Sequence, residues 1–298
     1  MESATIRRVP RLPGLIQLGL IGLLVILAAV AWALTDDRMS GMDAGPGTDT
    51  GTLGFFIGVW VVMMAAMMFP SIAPMVLMHV RMQEGKRERG QPVAVGATTL
   101  FVAGYLIIWA AAGLLGYTLF QVGEAVSGDL FSWDSGGPYL AGGVIVAASI
   151  YQLTPLKNAC LRKCRNPFMF LLTAWRPGRL GAVRMGIEHG GWCVGCCWML
   201  MAALFALGVM SIGWMAFIAA LIAIEKLLPW QALANRGIAV MLLVLGLAVA
   251  FTPGDVPGLT LPNSAEARQA MESMGMEGDQ SMGSGGSVGG GMHDDQMP

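Results

Sequence analysis

Apolar residues fall in long blocks along this chain, separated by short polar or charged connections. Seven blocks predict helices that cross, or nearly cross, a bilayer: residues 12–34, 53–79, 93–120, 138–156, 186–209, 211–225 and 237–251. A hydrocarbon core about 30 Å thick takes roughly 20 helical residues. Pro70 and Pro74 fall inside the second block and predict a kink there. The sixth block is short and follows the fifth through residues 210–213, which predicts an antiparallel hairpin. Pro155 removes a backbone hydrogen bond near the end of the fourth block and predicts unwinding just before Cys160. The expected fold class is all-α, a polytopic transmembrane helical bundle of about seven spans over residues 1–252. A Met/Gly-rich tail follows at 253–298, and its Gly/Ser-rich stretch at 283–291 predicts disorder.

Composition supports a lipid solvent. Hydrophobic residues make up 55% of the chain and charged residues only 12%, against about 25% charged in soluble domains. The first block follows Arg7, Arg8 and Arg11 as a signal peptide would. It is too long for a typical apolar signal region and lacks a small-residue cleavage site before Asp36, so it is expected to be a retained span.

The distribution of charge adds an orientation. Threaded through seven spans, 16 of the 18 Lys and Arg residues fall on one side, leaving Arg38 and Arg268 for the other. The acidic residues Asp36, Asp37, Asp43, Asp49, Glu124, Asp129 and Asp134 fall opposite. Positive residues remain inside, so the N-terminus is expected in the cytoplasm and the C-terminus outside, in a bacterial inner membrane. This topology accounts for the basic residues without nucleic acid, and no Walker or Rossmann pattern points to a nucleotide.

Chemistry concentrates at the inner face. In H-G-G-W-C-V-G-C-C-W-M-L-M, residues 189–201, spacings of three and four place His189, Cys193, Cys196 and Cys197 on one helix face. Cys160 and Cys164 follow the fourth span, while His79 and Glu225 end the second and sixth at the same depth. Thiolates are soft ligands that suit Cu(I), with zinc as the other candidate, and a cation would offset their charge in an apolar setting. Buried cysteines also serve as small apolar residues, and Cys193-x-x-Cys196 has the spacing of a redox pair. Glu225 also has a plainer reading, as a salt-bridge partner for a basic loop residue.

Methionine adds thioether ligands, with 23 in the chain. Met63, Met64, Met67 and Met68 in the second span, followed by Met75 and Met78, form a stripe that either packs the core or offers soft ligands across the bilayer. In the tail, Met292 and His293 form the core of a Met/His/Asp cluster suited to copper in an oxidising compartment. Met199, Met201 and Met210 face the stripe in this reading, and Met39 and Met42 join the outer group.

Three segments carry a family resemblance: W-V-V-M-M-A-A-M-M-F-P at 60–70, Y-Q-L-T-P-L-K-N-A-C-L-R-K-C at 151–164, and the Cys-rich run at 190–201 continuing through Glu225-Lys226. Over about 54–236 the chain resembles a bacterial family of predicted metal-binding integral membrane proteins, long a domain of unknown function. The resemblance implies a multi-pass inner-membrane protein and, for some members, copper supply to exported oxidases such as tyrosinases. The motif positions Met63, Met64, Met67, Met68, Cys160, Cys164, Cys193, Cys196 and Cys197 are all present.

These readings converge on a non-enzymatic copper-binding membrane protein. It is expected to capture Cu(I) and pass it to a periplasmic copper enzyme or chaperone. A membrane thiol–disulfide oxidoreductase and a non-catalytic assembly partner are the alternatives.

Overall fold

A computed structural model describes residues 15–39, 52–127, 136–208, 211–228, 230–259 and 261. Nine helices form among these residues: α1 (Leu15–Met39), α2 (Leu53–Glu88), α3 (Ala97–Ser127), α4 (Gly137–Gln152), α5 (Pro155–Arg165), α6 (Pro167–Ala174), α7 (Gly178–Leu207), α8 (Ile212–Leu227) and α9 (Gln231–Phe251). No strand occurs among them, so the all-α expectation holds. Each of the seven apolar blocks contributes a helix. By length and apolarity, α2, residues 97–123 of α3, α7 and α9 are long enough to cross a membrane. The pair α4 and α5 makes a fifth candidate if the two helices, bent by 68°, are one broken span.

The outer surface fits a lipid solvent. On α9, Leu242, Gly246 and Val249 are buried, whereas Val240, Val244 and Leu247 are exposed on the opposite face. Similar exposed apolar residues line α3 at Leu114, Leu115 and Leu119. A water-soluble monomer rarely exposes so much contiguous apolar surface.

Apolar surface gives little net drive for helix association inside lipid, so close packing and polar contacts decide which helices meet. Two pairs meet backbone to backbone. A side-chain carbon at Gly186 of α7 would lie 2.0 Å from the Phe101 carbonyl oxygen of α3, and one at Gly104 would lie 2.2 Å from the Val183 carbonyl. Glycine at both positions lets α3 and α7 touch. Between α4 and α9, a carbon at Gly142 would lie 2.5 Å from the Gly246 carbonyl oxygen, and Ser149 Oγ donates to the Ala239 carbonyl at 2.6 Å. The remaining core includes α2, whose Trp60 Nε1 donates to the Trp109 carbonyl of α3 at 2.8 Å.

The stretch between the fourth and fifth apolar blocks, 157–184, departs most from the sequence reading. It folds into α5, α6 and the first turns of α7. Thr154 caps α5, accepting from the Lys157 backbone N–H at 3.3 Å, with Pro155 at the first helical turn. Pro is tolerated there because that N–H has no intrahelical partner, so Pro155 starts a helix as well as ending one. Pro167 starts α6 in the same way. In contrast, α2 continues through Pro70 and Pro74 as one helix.

A buried ion pair holds α5 in place. Lys157 Nζ donates to both carboxylate oxygens of Glu225 on α8 at 2.8 Å and also to Gln152 Oε1. Both charged side chains are almost wholly enclosed, at 0% and 1% exposure. Arg165, at the end of α5, donates to the Glu225 carbonyl at 3.1 Å and to that of Leu228.

Two substitutions test these contacts. Gly186→Ala forces α3 and α7 apart and should cost more than about 3 kcal/mol, at the upper end of overpacking penalties. Gly191→Ala on the same helix meets nothing within 4 Å and should be neutral or stabilising; thermal unfolding in detergent distinguishes the two. Lys157→Met leaves the Glu225 charge unpaired and should cost about 3–5 kcal/mol. The double variant Lys157→Met/Glu225→Leu should recover most of that loss, which a thermal-unfolding comparison of single and double variants would check.

Candidate metal centre

Cys193 and Cys196 lie three residues apart on α7, a spacing that turns both side chains to the same face. Both are buried. Cys164 approaches them from the last turn of α5. The sulfurs of Cys164, Cys193 and Cys196 all lie within 4.8 Å of one another, with Cys164 Sγ 3.9 Å from Cys196 Sγ. Metal–sulfur bonds of about 2.3 Å in a trigonal plane place sulfurs roughly 4 Å apart. The three thiols therefore stand near the spacing that one soft ion requires.

The partner groups at each sulfur differ. Cys193 Sγ lies 3.1 Å from Tyr105 Oη and accepts from Lys226 Nζ at 3.0 Å. That ammonium also donates to Ser71 Oγ at 3.3 Å. Ser71 in turn donates to the Met68 carbonyl at 2.8 Å, and its Oγ is 3.9 Å from Met68 Sδ. Cys196 Sγ donates back along α7 to the Cys193 carbonyl at 3.1 Å. The site thus joins a fixed positive charge from α8, three sulfurs from α5 and α7, and a chain of contacts to the methionine stripe of α2.

Local packing explains why α5 presents Cys164. Tyr151, just before the α4–α5 bend, donates from Oη to the Gly195 carbonyl at 2.5 Å. A side-chain carbon at Gly195 would lie 2.9 Å from Cys160 Sγ. Glycine at 195 therefore lets α5 press against α7, and Cys164, one turn beyond Cys160, reaches the sulfur pair.

The other expected ligands take different positions. Cys197 is buried on α7, where its Sγ donates to the Cys193 carbonyl at 3.0 Å. Cys160 is buried against Gly195. His189 lies one helical turn from Cys193, with its ring packed among Phe101, Tyr105 and Phe170 and with Nδ1 unpartnered. His79 is stacked between Phe101 and Trp175, its Nδ1 3.2 Å from Thr98 Oγ1 and its Nε2 unpartnered. Met63, Met64, Met67, Met68 and Met75 are all buried in the core. Met292 and His293 lie outside the described residues.

Tyr105 and Lys157 are parts of the site that the sequence does not single out, and Lys226 is signalled only as the neighbour of Glu225. The Glu225-Lys226 pair at the end of an apolar block signalled an ionisable cluster, and a salt bridge from Glu225 to a basic loop residue was one of its two readings. Tyr105 carries no sequence signal of its own, because one aromatic residue in an apolar block is ordinary core.

Residues 57–249 match the model of a copper chaperone family, PpoB2. No curated protein and no solved structure matches the chain. The match spans more than half of the sequence and includes all five cysteines and the methionine stripe, and the chain belongs to the PpoB2 copper chaperone family.

Proposed function

We propose that this protein is a bacterial inner-membrane copper chaperone that holds Cu(I) on Cys164, Cys193 and Cys196 and passes it outward. The observation that carries this reading is the convergence of three buried sulfurs from two helices within 4.8 Å. Soft thiolates and low coordination favour Cu(I), while zinc more commonly takes four ligands in structural sites. Copper is cargo here, and the protein acts without catalysis. In the seven-span topology with the N-terminus inside, the cysteines face the cytoplasmic side. The tail, with Met292 and His293, lies in the periplasm beside an exported copper enzyme or a periplasmic chaperone.

The contacts beyond the sulfurs support transfer as well as storage. Lys226 places a positive charge against Cys193, which offsets part of the negative charge that several thiolates bring into an apolar bundle. Met68, reached through Ser71, offers thioether sulfur on the next helix. Thioethers are neutral soft ligands, so an ion moving from thiolate to thioether stays in compatible chemistry.

Copper stoichiometry tests the ligand set. Purified wild-type protein loaded anaerobically with Cu(I) should retain copper through desalting, and Cys193→Ser, Cys196→Ser and Cys164→Ser should each weaken retention by at least about tenfold. Cys197→Ser should retain copper as wild type does. Full copper retention by the triple variant Cys164→Ser/Cys193→Ser/Cys196→Ser would overturn the assignment. Cu(I) should also raise the thermal midpoint of the wild type, because a ligand that binds only the folded state stabilises it.

A further inference from the structure

A second polar site lies apart from the sulfurs, where the end of α2, the start of α3 and the connection from α6 to α7 meet. A partly open cavity of about 30 Å³ is lined by Gln83 and Lys86 of α2, Trp175 and Arg176 of the connection, and Met185 of α7. No Asp or Glu is among its lining residues. Trp175 Nε1 and Arg176 Nε are buried donors without a hydrogen-bond partner. Lys86 Nζ lies 3.9 Å from the centre of the Trp175 ring, which holds its charge at the same wall. Gly178, the first residue of α7, also lines the cavity, and the first N–H groups of a helix have no intrahelical acceptor.

Buried donors without acceptors are unfavourable, and nearly all such groups in folded proteins find a partner. Here the Trp175 N–H and the Arg176 guanidinium share a wall with the Lys86 ammonium, and no carboxylate is among the lining residues. Water could satisfy one donor but leaves the charge excess in place. A cavity of this size holds the oxygens of one small anionic group, since a water oxygen needs roughly 10–15 Å³ of such space. The open side leaves room for the rest of the molecule.

We propose that this cavity binds a phosphate-type oxyanion through Lys86, Arg176 and the Trp175 indole N–H. Two sources share that chemistry, an anionic phospholipid headgroup and free phosphate. In the topology proposed above, Lys86 and Arg176 face the cytoplasmic leaflet, where basic pockets between helices take anionic headgroups. Bound there, the anion joins α2, α3 and α7 at one end of the bundle, at the start of α7 and well before Cys193 along that helix. The copper assignment plays no part in the argument.

Native mass spectrometry of the full chain released from vesicles of phosphatidylglycerol and phosphatidylcholine tests the lipid arm. Retention of phosphatidylglycerol by wild type should exceed that by Lys86→Gln/Arg176→Gln at least tenfold, about the loss expected from a charge-assisted hydrogen bond. Arg184→Gln, which removes an exposed charge outside the cavity, should retain lipid as wild type does. The free-anion arm compares thermal midpoints of detergent-purified protein in sodium phosphate and in sodium chloride at equal ionic strength. A phosphate shift lost in the double variant, without lipid retention, identifies the small anion as the ligand. Where the double variant folds poorly, Trp175→Phe removes the indole donor alone; a loss of threefold or more supports the site, and unchanged binding in both arms overturns it. Equal retention and equal midpoints in wild type and double variant overturn the proposal, as does an equal loss in Arg184→Gln.

Discussion

A charge placed inside an apolar helical bundle must be neutralised where it stands, and the buried Lys157–Glu225 pair meets that requirement. Lys157 sits one turn after the break that separates α4 from α5, and Glu225 sits near the end of α8. Their contact therefore fixes the direction in which α5 leaves α4. Gln152 and Arg165 add hydrogen bonds from either side of the pair. With α5 so directed, Cys160 rests against Gly195 and Cys164 reaches Cys193 and Cys196. The sulfur group depends on an ion pair that contains no sulfur. Removing one member would leave an uncompensated charge, whereas removing both would leave an apolar gap, and these differ greatly in free energy.

The main features of the fold were legible in the sequence because lipid imposes length. Seven apolar blocks became seven helices, and Pro155 marked the bend before Cys160. The basic stretch between the fourth and fifth blocks reads as a connection, yet it folds into α5 and α6. Its residues Lys157, Arg162, Lys163 and Arg165 read as a basic stretch between spans, and charge counting is silent on whether such a stretch is helical. Local signals were present, in the Thr154-Pro155 cap and in Asn166-Pro167, but apolar periodicity does not register them. At the site, the sequence supplied the five cysteines, three of which the fold brings together. It could not rank Cys164 above Cys197, because helical spacing groups Cys193, Cys196 and Cys197 on α7 and says nothing of what α5 brings. Only the tertiary contact at Gly195 decides that order.

Methionine shows the same limit from the other direction. The stripe on α2 was expected either to fill the core or to carry soft ligands, and its burial is compatible with both. Met63, Met64, Met67 and Met68 have almost no exposed surface, and flexible thioether side chains fill irregular space well. Met68 is distinguished from its neighbours by a contact. Ser71 touches its sulfur, and Lys226 joins Ser71 to Cys193. Packing alone would not need a lysine in that position. The ammonium links the sulfur-bearing faces of α2 and α7 while supplying positive charge beside the thiols.

Under the proposed function, the division of sulfurs between two helices would also constrain how an ion leaves. Cys193 and Cys196 share α7, so their separation is fixed by helix geometry and changes only if α7 distorts. Cys164 belongs to α5, an eleven-residue helix held by Lys157, Tyr151 and the glycine contact at 195. Its distance from the other two is set by packing between helices, which is softer than the geometry within one. A three-sulfur site built in this way has one ligand that can withdraw and two that stay. Under the function proposed above, lowering coordination from three to two would open a position for an incoming ligand without releasing the ion, as an associative exchange of Cu(I) between proteins requires. The ion pair that places α5 therefore also governs how readily the site can open.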